Sequence, residues 1–273
     1  MKKIFLLLGV IAVSAAPLAA EPPYPTISAG ERAAAEAAKP APRFNDPPAL
    51  VVEGWEKARC ATVEYAPGVK AALCWPAEPS DKPLPIVLFV FNYNHAAFVA
   101  DQGKPTCDMV PQIIWMAEMA NRGFLAVCPD PQSVAPDMAA MMKWLAQRGA
   151  GLGADPSRMA LFSVSANCKI IPYLMGLPEA ANVKAMALYY SDLAPAAWSL
   201  PKTVALHVVK AGKDTATMNT RMDAFVKKFT EAGNAVDFIV YPAGDHVFDW
   251  KDEGGEAAAV MATTLDFLDA KLR

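Results

Sequence analysis

Histidine is scarce in this chain: 273 residues hold only three, His95, His207 and His246. They are scattered and not at ligand spacing, so no metal signature is present, and no metal or other cofactor is expected. A large excess of charge of one sign is missing too. Lys and Arg total 25 against 28 Asp and Glu, with no basic stripe, which argues against nucleic acid as a partner. A phosphate-cradling loop is also lacking. Gly149-Ala150-Gly151-Leu152-Gly153 has the composition, but it follows a helix-forming stretch rather than a strand. Long apolar runs are absent beyond the first residues. Residues 1–20 read as a signal peptide, with Lys2 and Lys3 at the positive end, an apolar core and Pro17-Leu18-Ala19-Ala20 as the small-residue exit. That core is shorter than the roughly 20 residues a spanning helix needs. The expectation is a periplasmic or secreted protein whose mature chain has no transmembrane segment; oligomeric state is not legible.

After the leader, residues 21–49 form a Pro/Ala-rich arm or linker with little apolar periodicity. Residues 50–273 read as one folded domain. Its five cysteines stand at 60, 74, 107, 128 and 168, and export permits disulfides. Residues 58–65 and 69–75 read as strands joined by a turn at Ala66-Pro67-Gly68. In a hairpin symmetric about Pro67, Cys60 lies opposite Cys74, close enough to bridge. The odd count leaves at least one thiol without a partner in the chain. Cys107 is a candidate for the pocket mouth, and Cys168 for packing.

The patterning then changes. Pro85-Ile86-Val87-Leu88-Phe89-Val90-Phe91 is a continuous apolar run, a strand buried on both faces. A loop is expected over residues 92–108. Helices are expected over 109–121, 136–147, 219–233 and 257–272. Strands are expected over 124–128, 159–162, 183–190, 203–210 and 236–241. Met138, Met141, Met142 and Leu145 fall at helical spacing and read as core. The alternation predicts a mostly parallel α/β sheet with helices on both faces, preceded by the antiparallel hairpin.

The stretch Arg158-Met159-Ala160-Leu161-Phe162-Ser163-Val164-Ser165-Ala166-Asn167-Cys168 reads as strand, tight turn and helix start. That is the local geometry of a nucleophile elbow, although both glycines of G-x-S-x-G are replaced, by Ser163 and Asn167. Two further loops follow strands: Ala211-Gly212-Lys213-Asp214, and Pro242-Ala243-Gly244-Asp245-His246-Val247-Phe248. In a parallel sheet such loops gather at one edge. A serine hydroxyl needs a base, which an imidazole supplies near neutral pH, and the imidazole needs a carboxylate on its other nitrogen. Ser165 is preferred to Ser163 as nucleophile and His246 to the other histidines as base. Asp214 is preferred to Asp245 as acid, with Asp192 in reserve. His207 reads as a core residue.

Four pieces in order resemble the α/β-hydrolase superfamily, in its carboxylesterase and dienelactone-hydrolase-like part. They are residues 117–130, the Asp155-Pro156-Ser157-Arg158 lead into the elbow, Gly212-Lys213-Asp214, and Tyr241 through Phe248. The resemblance implies a catalytic triad of Ser165, Asp214 and His246, with the Ala166 backbone N–H as one oxyanion donor. The loop after Phe91 begins Asn92-Tyr93-Asn94-His95 where much of the superfamily has His-Gly. It is similar to the Pro-Gly-Tyr form, which implies Tyr93 as the second donor, with Asn92, Asn94 and His95 near the pocket. The short connection between the strands ending at 190 and starting at 203 leaves little room for a large cap domain. The implied activity is ester hydrolysis on a small-molecule or polymeric substrate. A peptidase or thioesterase on the same fold, and a binding protein that has lost turnover, remain as alternatives.

Overall fold

A computed structural model describes residues 57–93, 95–252 and 255–273. The expected leader, the arm and Asn94 lie outside the described residues. Among the described residues eight strands form one sheet: β1 (Arg59–Ala66), β2 (Val69–Trp75), β3 (Leu84–Phe89), β4 (Leu125–Asp130), β5 (Ala154–Val164), β6 (Val183–Tyr189), β7 (Ala205–Ala211) and β8 (Val236–Tyr241). Their spatial order is β1-β2-β4-β3-β5-β6-β7-β8. β1 and β2 pair antiparallel, as do β2 and β4; all other pairs are parallel. This is the mixed sheet that the patterning predicts, with the hairpin at one edge.

Seven helices are described: α1 (His95–Gln102), α2 (Val110–Asn121), α3 (Val134–Arg148), α4 (Ile171–Leu174), α5 (Ala216–Glu231), α6 (Phe248–Lys251) and α7 (Gly255–Leu272). Successive residues of a strand point to opposite faces, and β3 with the two residues after it shows the result. Ile86, Leu88 and Val90 pack with Met138, Met141, Met142 and Leu145 of α3 and with Met222, Phe225 and Phe229 of α5. Val87, Phe89 and Phe91 pack with Trp115 and Met119 of α2 and with Leu265 and Leu268 of α7. The methionine stripe is core, as its spacing implies. Burying each such side chain contributes about 1.5–3 kcal/mol, so the central strands are held by apolar burial on both faces.

Three local readings need correction. The segment 92–108 is not a plain loop: it carries α1 and a 3-10 turn at Thr106–Asp108. A helix of 8 residues is too short for its periodicity to stand out. After the elbow, the chain forms a 3-10 turn over Ser165–Ile170 and then only the single α-turn Ile171–Leu174. Pro172 has no N–H and fits that first turn, where a missing donor costs nothing. The third correction concerns Cys107. It does not line an open pocket mouth but is buried and joined to Cys128 on β4. Cys60 and Cys74 are also bridged, opposite each other in the β1–β2 register, as the hairpin symmetry predicts. Cys168 is buried, and burial pushes its thiol up to about 12, which suits packing. Among the described residues no helix is long and apolar enough to cross a membrane.

Candidate active site

Each candidate residue owes its place to a strand end. β5 delivers Ser165 immediately after Val164. Ser165 has φ 55°, in the left-handed region that costs a non-glycine residue about 1–2 kcal/mol. The neighbouring pairs Ser163–Leu188 and Val164–Tyr189 anchor the strand, and the Asp192 N–H donates to the Ser165 carbonyl at 3.2 Å. The sharp turn is therefore enforced from both sides.

β7 and β8 run side by side and deliver the candidate acid and base. The Gly212 N–H donates to the Tyr241 carbonyl at 2.8 Å, and the Lys213 N–H to the Gly244 carbonyl at 2.9 Å. Gly212 passes so close to Pro242 that a Cβ would stand 2.5 Å from the Pro242 carbonyl oxygen. Glycine is thus required by contact, not by its own φ. Past His246 the backbone turns sharply again. Val247 has φ 60°, a conformation that is costly for a β-branched residue, and it starts α6.

These loops bring the three polar side chains into line. Ser165 Oγ lies 2.9 Å from His246 Nε2, and His246 Nδ1 lies 2.6 Å from Asp214 Oδ2. Because Asp214 can only accept when ionised, Nδ1 carries the proton and Nε2 is left to accept from the hydroxyl, a tautomer assigned from these partners. The Asp214 side chain is buried, with its second oxygen taking the Thr215 N–H at 2.7 Å. The alternatives fall elsewhere. Asp192 pairs with Lys169 at 2.8 Å and with Arg221, and these hydrogen bonds hold its carboxyl below the usual range. Asp245 is exposed. His207 is buried in β7 between Asp237, 2.7 Å from Nδ1, and Thr264, 2.9 Å from Nε2. Ser163 is buried beneath the turn.

The segment after β3 lies beside the elbow. Tyr93 is half-buried, its ring stacked on Phe98 at 4.6 Å and packed on Phe91 at 5.3 Å, and its hydroxyl donates to Thr106 Oγ1. Burial drives the Tyr93 phenol well above its ordinary pKa, so it stays a donor. Ala166 stands at the start of the 3-10 turn, where backbone N–H groups have no partner within the helix. Asn92 is exposed, and its own N–H donates to Asn167 Oδ1 at 3.0 Å. His95 is tied to the end of β4, with Nδ1 2.5 Å from Asp130 Oδ1.

A buried carboxylate beneath the histidine escaped the sequence reading. Asp249 of α6 accepts from Tyr190 Oη at 2.7 Å and from Trp115 Nε1 at 2.8 Å. Burial pushes its carboxyl up to about 6. The Tyr190 ring packs on His246 at 4.8 Å, and Tyr190 itself has φ 32°. The only local signal was an acidic residue in an otherwise aromatic run, Phe248-Asp249-Trp250; its donors come from 59 and 134 residues away.

No family model matches the chain, and no curated relative does. Solved structures do resemble it. Brefeldin A esterase, described as a bacterial homologue of human hormone-sensitive lipase, is 14% identical with a TM-score of 0.65, covering 84% of this chain and 82% of its own. The esterase LipW from Mycobacterium marinum is 15% identical with a TM-score of 0.64, over 78% of this chain and 82% of its own. A thermostable esterase from Pseudomonas putida is 14% identical with a TM-score of 0.62, over 89% of both chains. With the sheet order and its crossovers, these likenesses establish that the chain has the α/β-hydrolase fold.

Proposed function

We propose that this protein is an exported serine hydrolase that cleaves a carboxylic ester. The observation that carries the reading is the aligned pair of contacts, 2.9 Å from Ser165 to His246 and 2.6 Å from His246 to Asp214, on a serine held at φ 55°. Spending backbone strain on one hydroxyl is what a nucleophile elbow does. The esterase names of the structural neighbours agree with it. Export accords with the leader-like residues 1–20 and with two disulfides.

Ser165 Oγ attacks the ester carbonyl carbon while its proton passes to His246 Nε2. Asp214 holds Nδ1–H and stabilises the imidazolium. The carbonyl oxygen becomes negative and is held by the Ala166 and Tyr93 backbone N–H groups, each worth about 3 kcal/mol. The intermediate collapses, the alcohol leaves with the proton from His246, and an ester joins the acyl group to Ser165. Water, deprotonated by His246, then repeats the sequence and releases the acid. The connection from Tyr189 to Ala205 carries only a 3-10 turn, Pro195–Ala197, which leaves the site open to short-chain or polymeric esters.

A fluorophosphonate probe tests the reading. Wild type labels and Ser165→Ala does not, while His246→Ala loses nearly all turnover of a p-nitrophenyl ester. A folded wild type that neither labels nor turns over would sink it, and would favour a binding protein on this fold.

A further inference from the structure

Both departures from the G-x-S-x-G pattern touch the same piece of chain. Asn167 Oδ1 accepts the Asn92 N–H at 3.0 Å, and Asn92 Nδ2 returns a longer contact to the Ala166 carbonyl at 3.4 Å. Ser163 Oγ reaches the Val90 carbonyl at 3.4 Å. A glycine at 167 or 163 would lack the Asn167 Oδ1 or Ser163 Oγ contact, while the Asn92 Nδ2–Ala166 contact uses neither side chain. These contacts join segments more than seventy residues apart in sequence, and those segments carry the two oxyanion donors: Ala166 precedes Asn167, and Tyr93 follows Asn92. We propose that Asn167 is a positioning residue, a side-chain clamp that sets where the Tyr93 N–H stands relative to the Ala166 N–H. The inference rests on the esterase reading above.

The clamp answers a need created by the end of the sheet. The Val90 N–H still donates to Phe162 at 2.9 Å, continuing the β3–β5 ladder. Beyond it, the Asn92 N–H is the next backbone donor from this segment to the elbow among the described residues. Tyr93 is fixed at its far end through its ring and through Thr106. Its backbone is fixed on the near side through Asn92 and Asn167. The left-handed φ lies at Ser165, and Asn167 has none. Asparagine is therefore not here for backbone tolerance but for its acceptor oxygen. An oxyanion hole works only when its donors already stand where the charge develops.

The test compares Asn167→Gly and Asn167→Ala, neither of which has the acceptor, with Asn167→Asp, which keeps one. Both truncations fold, judged by an unchanged circular dichroism spectrum and a cooperative melt. Both keep KM for p-nitrophenyl acetate within about twofold and lose about tenfold in kcat, less than deletion of a whole donor would cost. A trifluoromethyl ketone, which forms the tetrahedral adduct, loses affinity in proportion to kcat/KM. Hydrogen exchange at the Asn92 amide rises in both truncations and stays protected in Asn167→Asp. An active wild type beside a folded Asn167→Ala with unchanged kcat and unchanged protection overturns the clamp alone. A wild type inert to the ester and to the fluorophosphonate overturns the esterase reading with it.

Discussion

Gly212 and Pro242 touch backbone to backbone: a Cβ on Gly212 would sit 2.5 Å from the Pro242 carbonyl oxygen and 2.6 Å from its Cα. Neither residue takes part in chemistry. Their contact nevertheless sets the distance between the loop that holds Asp214 and the loop that holds His246. Gly212→Ala must push one loop off the other. Overpacking of this kind costs about 1–3 kcal/mol, and a displacement near 1 Å at the proposed triad costs about a hundredfold in rate. The expected variant folds, melts lower and turns over an ester at least tenfold more slowly. Thermal melts paired with p-nitrophenyl acetate kinetics check this, and full activity in a destabilised Gly212→Ala would show that the loops re-seat independently.

The two disulfides should separate by function. Each closes a short loop, of separation 14 for Cys60–Cys74 and 21 for Cys107–Cys128, so each removal costs about 2–4 kcal/mol. Cys60–Cys74 lies in the edge hairpin. Cys107 lies beside Thr106, which accepts from the Tyr93 hydroxyl. Replacing Cys107 and Cys128 together by Ala is expected to lower kcat severalfold as well as stability, whereas replacing Cys60 and Cys74 lowers stability alone. Equal kcat for the two double variants, measured well below both melting points, would show that Tyr93 is held without the bridge.

The choice of acid can be settled by substitution. Asp192 and Asp214 both follow a strand. Asp214 faces the imidazole at 2.6 Å, while Asp192 is occupied by Lys169 and Arg221. Asp214→Asn should lose on the order of 10⁴-fold in kcat through the wrong histidine tautomer. Asp192→Ala should stay within a few fold of wild type. The reverse ranking in ester kinetics would hand the acid role to Asp192.

What the sequence makes legible follows from the range of the forces involved. Leu84–Phe89 is visible because burial on both faces writes a continuous apolar run, Val183–Tyr189 because only Lys184 interrupts one, and Val236–Tyr241, less buried, because its run is β-branched and aromatic. The order Ser165, Asp214, His246 is visible because each residue follows such a run in a loop. The Cys60–Cys74 bridge is visible because a hairpin is local. Cys107–Cys128 and the Trp115–Asp249–Tyr190 group are not, since their partners meet only once the sheet has assembled. Asn167 lay between these cases. Its departure from glycine was plain, but its reason, an amide 75 residues away, was not.

Asp249 makes the stability of the fold depend on pH. Burial raises its carboxyl from 3.8 to about 6 in the folded state, while the unfolded chain returns it to about 3.9. Between those values the folded protein holds the proton more tightly than the unfolded chain. Asp249 therefore contributes stability that is full below about pH 4 and is lost as pH rises through about 6. A shift of about two units corresponds to on the order of 2–3 kcal/mol. Asp249→Asn cannot titrate, yet it keeps an oxygen for Tyr190 or Trp115. Subtracting its denaturation free energy from that of wild type cancels the carboxyls the two share. The difference, wild type minus variant, should fall by about 2–3 kcal/mol from pH 4 to pH 7. Asp249→Ala strips both buried donors of their acceptor at about 1–3 kcal/mol each, and it should be the less stable variant throughout. A wild-type minus Asn curve that stays flat from pH 4 to pH 7 would mean that water reaches this carboxyl and that it titrates as an ordinary one.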